Sequence, residues 1–90
     1  MSVNAYILIN VEPERTPEVV ERLHAIPGGI VREVVGPYDV VVELEADTEE
    51  DLTGIVRHSI SPIQGITNAV TCTWFVRDVS GLGEGRTGGG

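Results

Sequence analysis

The stretch Ile30-Val31-Arg32-Glu33-Val34-Val35-Gly36-Pro37-Tyr38-Asp39-Val40-Val41-Val42-Glu43-Leu44-Glu45-Ala46 reads as two strands around a turn. β-Branched residues dominate both arms, Ile30 to Val35 and Val40 to Ala46. Between them, Pro37 fixes one backbone angle, and Gly36 lets the chain bend where a side chain would clash. In the second arm Val40, Val42 and Leu44 share one face, and Val41, Glu43 and Glu45 share the other.

Each arm is flanked by a helix and a further strand. Upstream, Val3 to Val11 reads as a strand whose alternating sets, Ala5, Ile7, Ile9, Val11 and Tyr6, Leu8, Asn10, are both largely apolar. Such a strand needs cover on two faces. Thr16 is expected to cap a helix with Pro17 at its first position, and Val19, Val20, Leu23 and Ile26 fall on one stripe. Pro27-Gly28-Gly29 stops it. Downstream, Thr48 caps a second helix with acids in its first turn, and Leu52, Ile55, Val56, Ile60 and Ile63 mark its buried stripe. Gly54 weakens that helix, Pro62 and Gly65 end it, and Ile66 to Arg77 reads as a fourth strand.

The order is βαββαβ, with the helix-ending motif repeated in the two halves. Two interlocked βαβ units predict an α+β, ferredoxin-like sandwich: a four-stranded antiparallel sheet with both helices on one face. Nothing within the chain covers the other face, where Tyr6, Leu8, Val41 and alternate residues of the fourth strand must lie. A second copy packed sheet to sheet by two-fold symmetry is the economical cover.

Composition agrees with one small domain. The chain has 90 residues, 41% hydrophobic and 22% charged, with a mean hydropathy of +0.09. Residues 78–90 carry six of the eleven glycines and little to bury, so they read as a Gly-rich flexible tail after a domain of residues 1–77. A domain of that size buries only about 60% of its unfolded surface, which favours self-association. Cys72 is the single cysteine, so no internal disulfide supports the fold. His24, His58 and Cys72 are too few and too scattered for a structural zinc site, and the reading calls for no metal and no cofactor.

Fourteen acidic against six basic residues, all arginine, give a net charge of −8. Such a chain repels phosphate backbones and anionic membranes, and direct nucleic-acid binding is not expected. The apolar runs fall short of the roughly 20 residues of a membrane span. The N-terminus shows no signal-peptide pattern, so a cytoplasmic location is expected.

No catalytic constellation appears at a recognisable spacing. His24 and His58 read as exposed or half-exposed helix residues, and Cys72 as a small buried hydrophobe in mid-strand. Glu43 and Glu45 read as solvated carboxylates or carboxylates at the rim of an interface, and Asp47 to Asp51 as a helix-capping cluster ahead of a cation site. The turn Gly36–Asp39 carries two readings. Its backbone N–H groups at Tyr38 and Asp39 could take a carboxylate while the Asp39 carboxylate takes an ammonium, matching a free amino acid. Alternatively it is an ordinary hairpin connection in which Asp39 bonds its own turn.

The run Gly36-Pro37-Tyr38-Asp39-Val40-Val41-Val42-Glu43, with Ile26-Pro27-Gly28 before it and Pro62-Ile63-Gln64-Gly65-Ile66 after it, resembles the ligand-binding domain of the Lrp/AsnC regulators. The resemblance spans about residues 3–76. It implies a non-enzymatic, ferredoxin-like module for amino acid sensing in transcription regulation. Such modules form dimers by sheet-to-sheet packing, often assemble into rings of dimers, and bind small effectors between subunits. Carried over by position, Gly36 and Asp39 belong to the effector loop, shaped by Pro37 and Tyr38, with Ala69 and Thr71 at the family's Thr-x-Thr pair. Ala69 departs from that pattern. The chain opens directly on the first strand without the family's helix-turn-helix, so the resemblance implies a stand-alone sensor that acts through partner proteins, for example a full-length relative. Two other readings of the architecture are a dimeric α/β-barrel enzyme, such as a small monooxygenase, and a ligand-free assembly subunit.

Overall fold

A computed structural model describes residues 2–74. The elements are β1 (Val3–Val11), a 3-10 turn (Pro13–Arg15), α1 (Thr16–His24), β2 (Ile30–Glu33), β3 (Val40–Ala46), α2 (Glu49–Ile55) running into a π-helical turn (Val56–Ile60), and β4 (Ile66–Trp74). The sheet has the order β2-β3-β1-β4 with every neighbour antiparallel. This is the ferredoxin-like α+β fold expected from the alternation of the two sequence periods.

Register explains the core. Ala5 lies opposite Leu44, Ile7 opposite Val42 and Ile9 opposite Val40, so these six side chains share one sheet face. Val19 and Leu23 from α1, Ile26 from the turn that follows it, and Leu52 and Ile60 from the second helical segment join them in one cluster, so both helices lie on that face. Ile7, Ile9, Val19, Leu23, Val40, Val42 and Ile60 are completely buried, each worth about 1.5–3 kcal/mol of burial.

The helix ends differ in part from expectation. Thr16 is not the cap of α1. The 3-10 turn carries the chain directly into the helix, Arg15 takes the capping position, and the Thr16 hydroxyl donates to the Glu12 carbonyl at 3.3 Å. Thr48 does cap α2, accepting from the Asp51 N–H at 3.0 Å, with Glu49, Glu50 and Asp51 in the positive first turn. Thr48→Ala should therefore cost about 1 kcal/mol in a urea titration. An unchanged midpoint would show that this helix end needs no cap.

The π-helical turn serves the core. An α-helix would set Leu52 and Ile60, eight residues apart, about 80° out of line. The wider turn, closed by the Ser61 N–H on the Val56 carbonyl at 2.9 Å, winds less per residue and brings both onto the buried side.

Three further expectations change. The second strand ends at Glu33, not Val35. The Val34 N–H donates to the Asp39 carbonyl at 3.0 Å and closes the turn, while Val35 swings fully into solvent. Cys72 is exposed, because the helices cover only one face of the sheet and β4 is an edge strand. The end of the fourth strand, 75–77, and the predicted tail, 78–90, lie outside the described residues. Among the described residues, no helix is long and apolar enough to cross a membrane.

Candidate functional site

The turn between β2 and β3 is tied to the end of β1 by three hydrogen bonds, and a fourth ties that end of β1 to β4. The Asp39 N–H donates to the Ile9 carbonyl at 2.9 Å. The Val11 N–H donates to Asp39 Oδ2 at 2.9 Å, next to an irregularity of the β1–β4 register between Asn10 and Val11. The Asn10 side-chain amide donates to the Pro37 carbonyl at 2.9 Å, and Asn68 Nδ2 donates to Asn10 Oδ1 at 3.4 Å. Of the two N–H groups expected to be free, Asp39's is used within the fold. The Tyr38 N–H has no partner among the described residues. The Asp39 carboxylate bonds to β1 across 28 residues of sequence rather than to its own turn, where only the Asp39 carbonyl takes part.

This geometry separates two roles of Asp39. Asp39→Ala removes the acceptor for the Val11 N–H and should cost about 1–2 kcal/mol. Asp39→Asn keeps an oxygen for that bond, removes the charge, and should leave the urea midpoint near the original value. Equal losses in both variants would mean that the charge, not the acceptor, holds the turn.

Ala69 lies opposite Ile9, and Thr71 opposite Ile7. Strand β1 stands between them and the turn, so Ala69 and the head of β3 are about 10 Å apart in one chain. Thr71 lines a separate groove of about 240 Å³ with Leu52, Thr53, Val56 and Thr73, between α2 and β4. One subunit thus brings Gly36, Pro37, Tyr38 and Asp39 together and leaves Ala69 and Thr71 beyond a strand. Asn10 and Asn68 went unread in the sequence. Their signal was a pair of carboxamides in otherwise apolar or hydroxylated strand stretches.

The sheet face away from the helices carries Asn4, Tyr6, Leu8 and Asn10 from β1, Val41, Glu43 and Glu45 from β3, Ile30 and Arg32 from β2, and Asn68, Val70, Cys72 and Trp74 from β4. Tyr6, Ile30 and Val70 are 39%, 49% and 37% exposed. Tyr6 and Trp74 stack with ring centroids 5.9 Å apart and planes at 20°. The Trp74 indole N–H is shielded from solvent without an acceptor among the described residues. Glu43 meets Arg32 at 3.2 Å on this face, an exposed pair of small energetic weight.

His24 and His58 are exposed, and His58 borders a groove of about 630 Å³ between the end of α1 and the π-helical turn. Among the described residues, no three of His, Cys, Asp and Glu cluster as metal ligands.

Protein-family models give no match to the chain, and neither do the curated proteins. Solved structures do. FFRP-DM1 superposes with a TM-score of 0.76 at 31% identity, over 81% of this chain and 99% of that one. TTHA0845 from Thermus thermophilus superposes with a TM-score of 0.78 at 26% identity, over 83% of this chain and 95% of that one. AsnC from E. coli shares the fold at 15% identity and a TM-score of 0.78, with 84% of this chain matched to only 52% of AsnC. With 31% identity over nearly all of FFRP-DM1, the chain belongs to the Lrp/AsnC family.

Proposed function

We propose that the chain is a non-enzymatic regulatory module that pairs with itself through its open sheet face and binds an amino acid at the resulting subunit boundary. The observation that carries this reading is the uncovered face. Tyr6, Leu8, Ile30, Val41, Val70 and Trp74 form an apolar surface in a chain whose helices lie on the opposite side. A stable two-fold dimer buries about 800 Å² per partner, a demand that a four-stranded face can meet.

The effector reading rests on the turn. Tyr38 offers an uncommitted N–H, and Asp39 keeps one carboxylate oxygen beyond the Val11 bond. A zwitterion meets both. Since Ala69 and Thr71 lie beyond β1 from the turn of their own subunit, a site that uses all six residues draws on two copies. FFRP-DM1 and TTHA0845, each covered almost end to end, are chains of about this one domain, which supports reading it as a module that works without a DNA-reading segment in the same chain. The barrel-type enzyme reading needs a substrate cavity between sheet and helices, where Ile7, Ile9, Leu23, Leu44 and Ile60 are closely buried instead.

The test is a thermal-shift panel of the protein amino acids, supplied singly, combined with mass measurement in solution. An effector at about 100 times its dissociation constant should add about 2.7 kcal/mol. No shift with any amino acid would leave the sensor role without support.

A further inference from the structure

We infer that Asn10 is a positioning residue: by holding the Pro37 carbonyl it turns the Tyr38 N–H away from β1, as the donor for the carboxylate of an amino-acid effector. This rests on reading the Gly36–Asp39 turn as an effector loop, and adds to it the atom that meets the ligand and the side chain that aims it.

The peptide between Pro37 and Tyr38 is trans and planar, so its C=O and N–H point in opposite directions. Asn10 Nδ2 lies 2.9 Å from the Pro37 oxygen. Holding the oxygen toward β1 therefore sends the hydrogen outward. The neighbouring groups are committed elsewhere: the Asp39 N–H to Ile9, the Asp39 carbonyl to Val34 and Asp39 Oδ2 to Val11. Asn10 is itself oriented, because its oxygen accepts from Asn68 and its amide nitrogen is left for Pro37. Gly36, at φ +152° and with open space where a side chain would start, does not resist rotation of the segment. The Asn10 bond is thus the contact that decides which way this peptide faces.

The consequence is chemical. A backbone N–H without an internal partner binds an anionic oxygen, and an aimed donor avoids the ordering cost of a mobile one. Asn10→Ala frees the peptide. Asn10→Asp goes further, since the introduced carboxylate repels the Pro37 oxygen and attracts the Tyr38 N–H inward. Both changes lie at the sheet end, outside the buried core.

The experiment uses the full chain. The amide resonance and hydrogen exchange of Tyr38 are followed by NMR in wild type, Asn10→Ala and Asn10→Asp without ligand. Affinity is then measured for whichever protein amino acid stabilises the wild type. The expected result is a displaced or broadened Tyr38 resonance in both variants and an affinity about tenfold weaker, with solution mass and unfolding midpoint near wild type. A wild-type Tyr38 resonance and wild-type affinity in both variants would overturn the inference alone. Absence of binding to the wild type would sink the effector reading and the inference with it.

Discussion

Gly65→Ala is expected to destabilise the fold by about 3 kcal/mol and to lower the melting temperature by roughly 10–20 °C. Gly65 precedes β4 at φ +105°, a conformation that side chains resist. A Cβ there would lie 2.9 Å from both Arg15 Cβ and Val19 Cγ2. Neither neighbour can yield cheaply. Val19 is wholly buried, and Arg15 Cβ moves only with its backbone. The Gly65 carbonyl also accepts from the Glu12 N–H at 2.8 Å, so the segment is pinned where the clash occurs. Gly54→Ala makes the opposite control. A Cβ at Gly54 meets nothing within 4 Å in the interior of α2, and the change should stabilise by up to about 1 kcal/mol. Urea titration at one protein concentration compares the two. Equal midpoints would show that the approach of α1 to Gly65 is not a constraint in solution.

Leu8→Glu is expected to convert the proposed dimer to a monomer, raising its dissociation constant by at least roughly 100-fold. Leu8 lies between Val41 and Val70 in the middle of the open face. A carboxylate there would enter an apolar contact from both copies at once, beside Glu43, in a chain of net charge −8. The chain's own core, on the other side of the sheet, would be untouched. Sedimentation equilibrium reads the mass directly. Gln64→Glu, an equal change of charge at an exposed site off the sheet, should leave it unaltered. A monomeric wild type, or a variant with full dimer mass, would refute sheet-to-sheet pairing.

Much of the scaffold was legible in single residues. Val40, Val42 and Leu44 alternate because a strand exposes one side to the core, and all three are buried. Val19, Leu23 and Ile26 recur at helical spacing, and they meet that same face. Thr48 ahead of three acids marked a helix start that the Asp51 N–H confirms. Local preference misled where a longer-range contact prevailed. Val34 and Val35 are strand formers by type, yet closure of the turn on Asp39 draws them out of β2. Cys72 has the character of a buried residue, but its exposure depends on β4 being the outer strand.

By itself, then, the order of residues determined the βαββαβ succession, the face each element turns inward and the place of the turn, because periodicity and capping act within a few residues of chain. Tertiary structure alone decided what that turn is attached to. The bonds from Asn10 to Pro37, Val11 to Asp39 and Asn68 to Asn10 span 27, 28 and 58 positions. Hydrogen bonds of that span exist only once strand register has set the partners a few ångströms apart, and no local pattern encodes that distance.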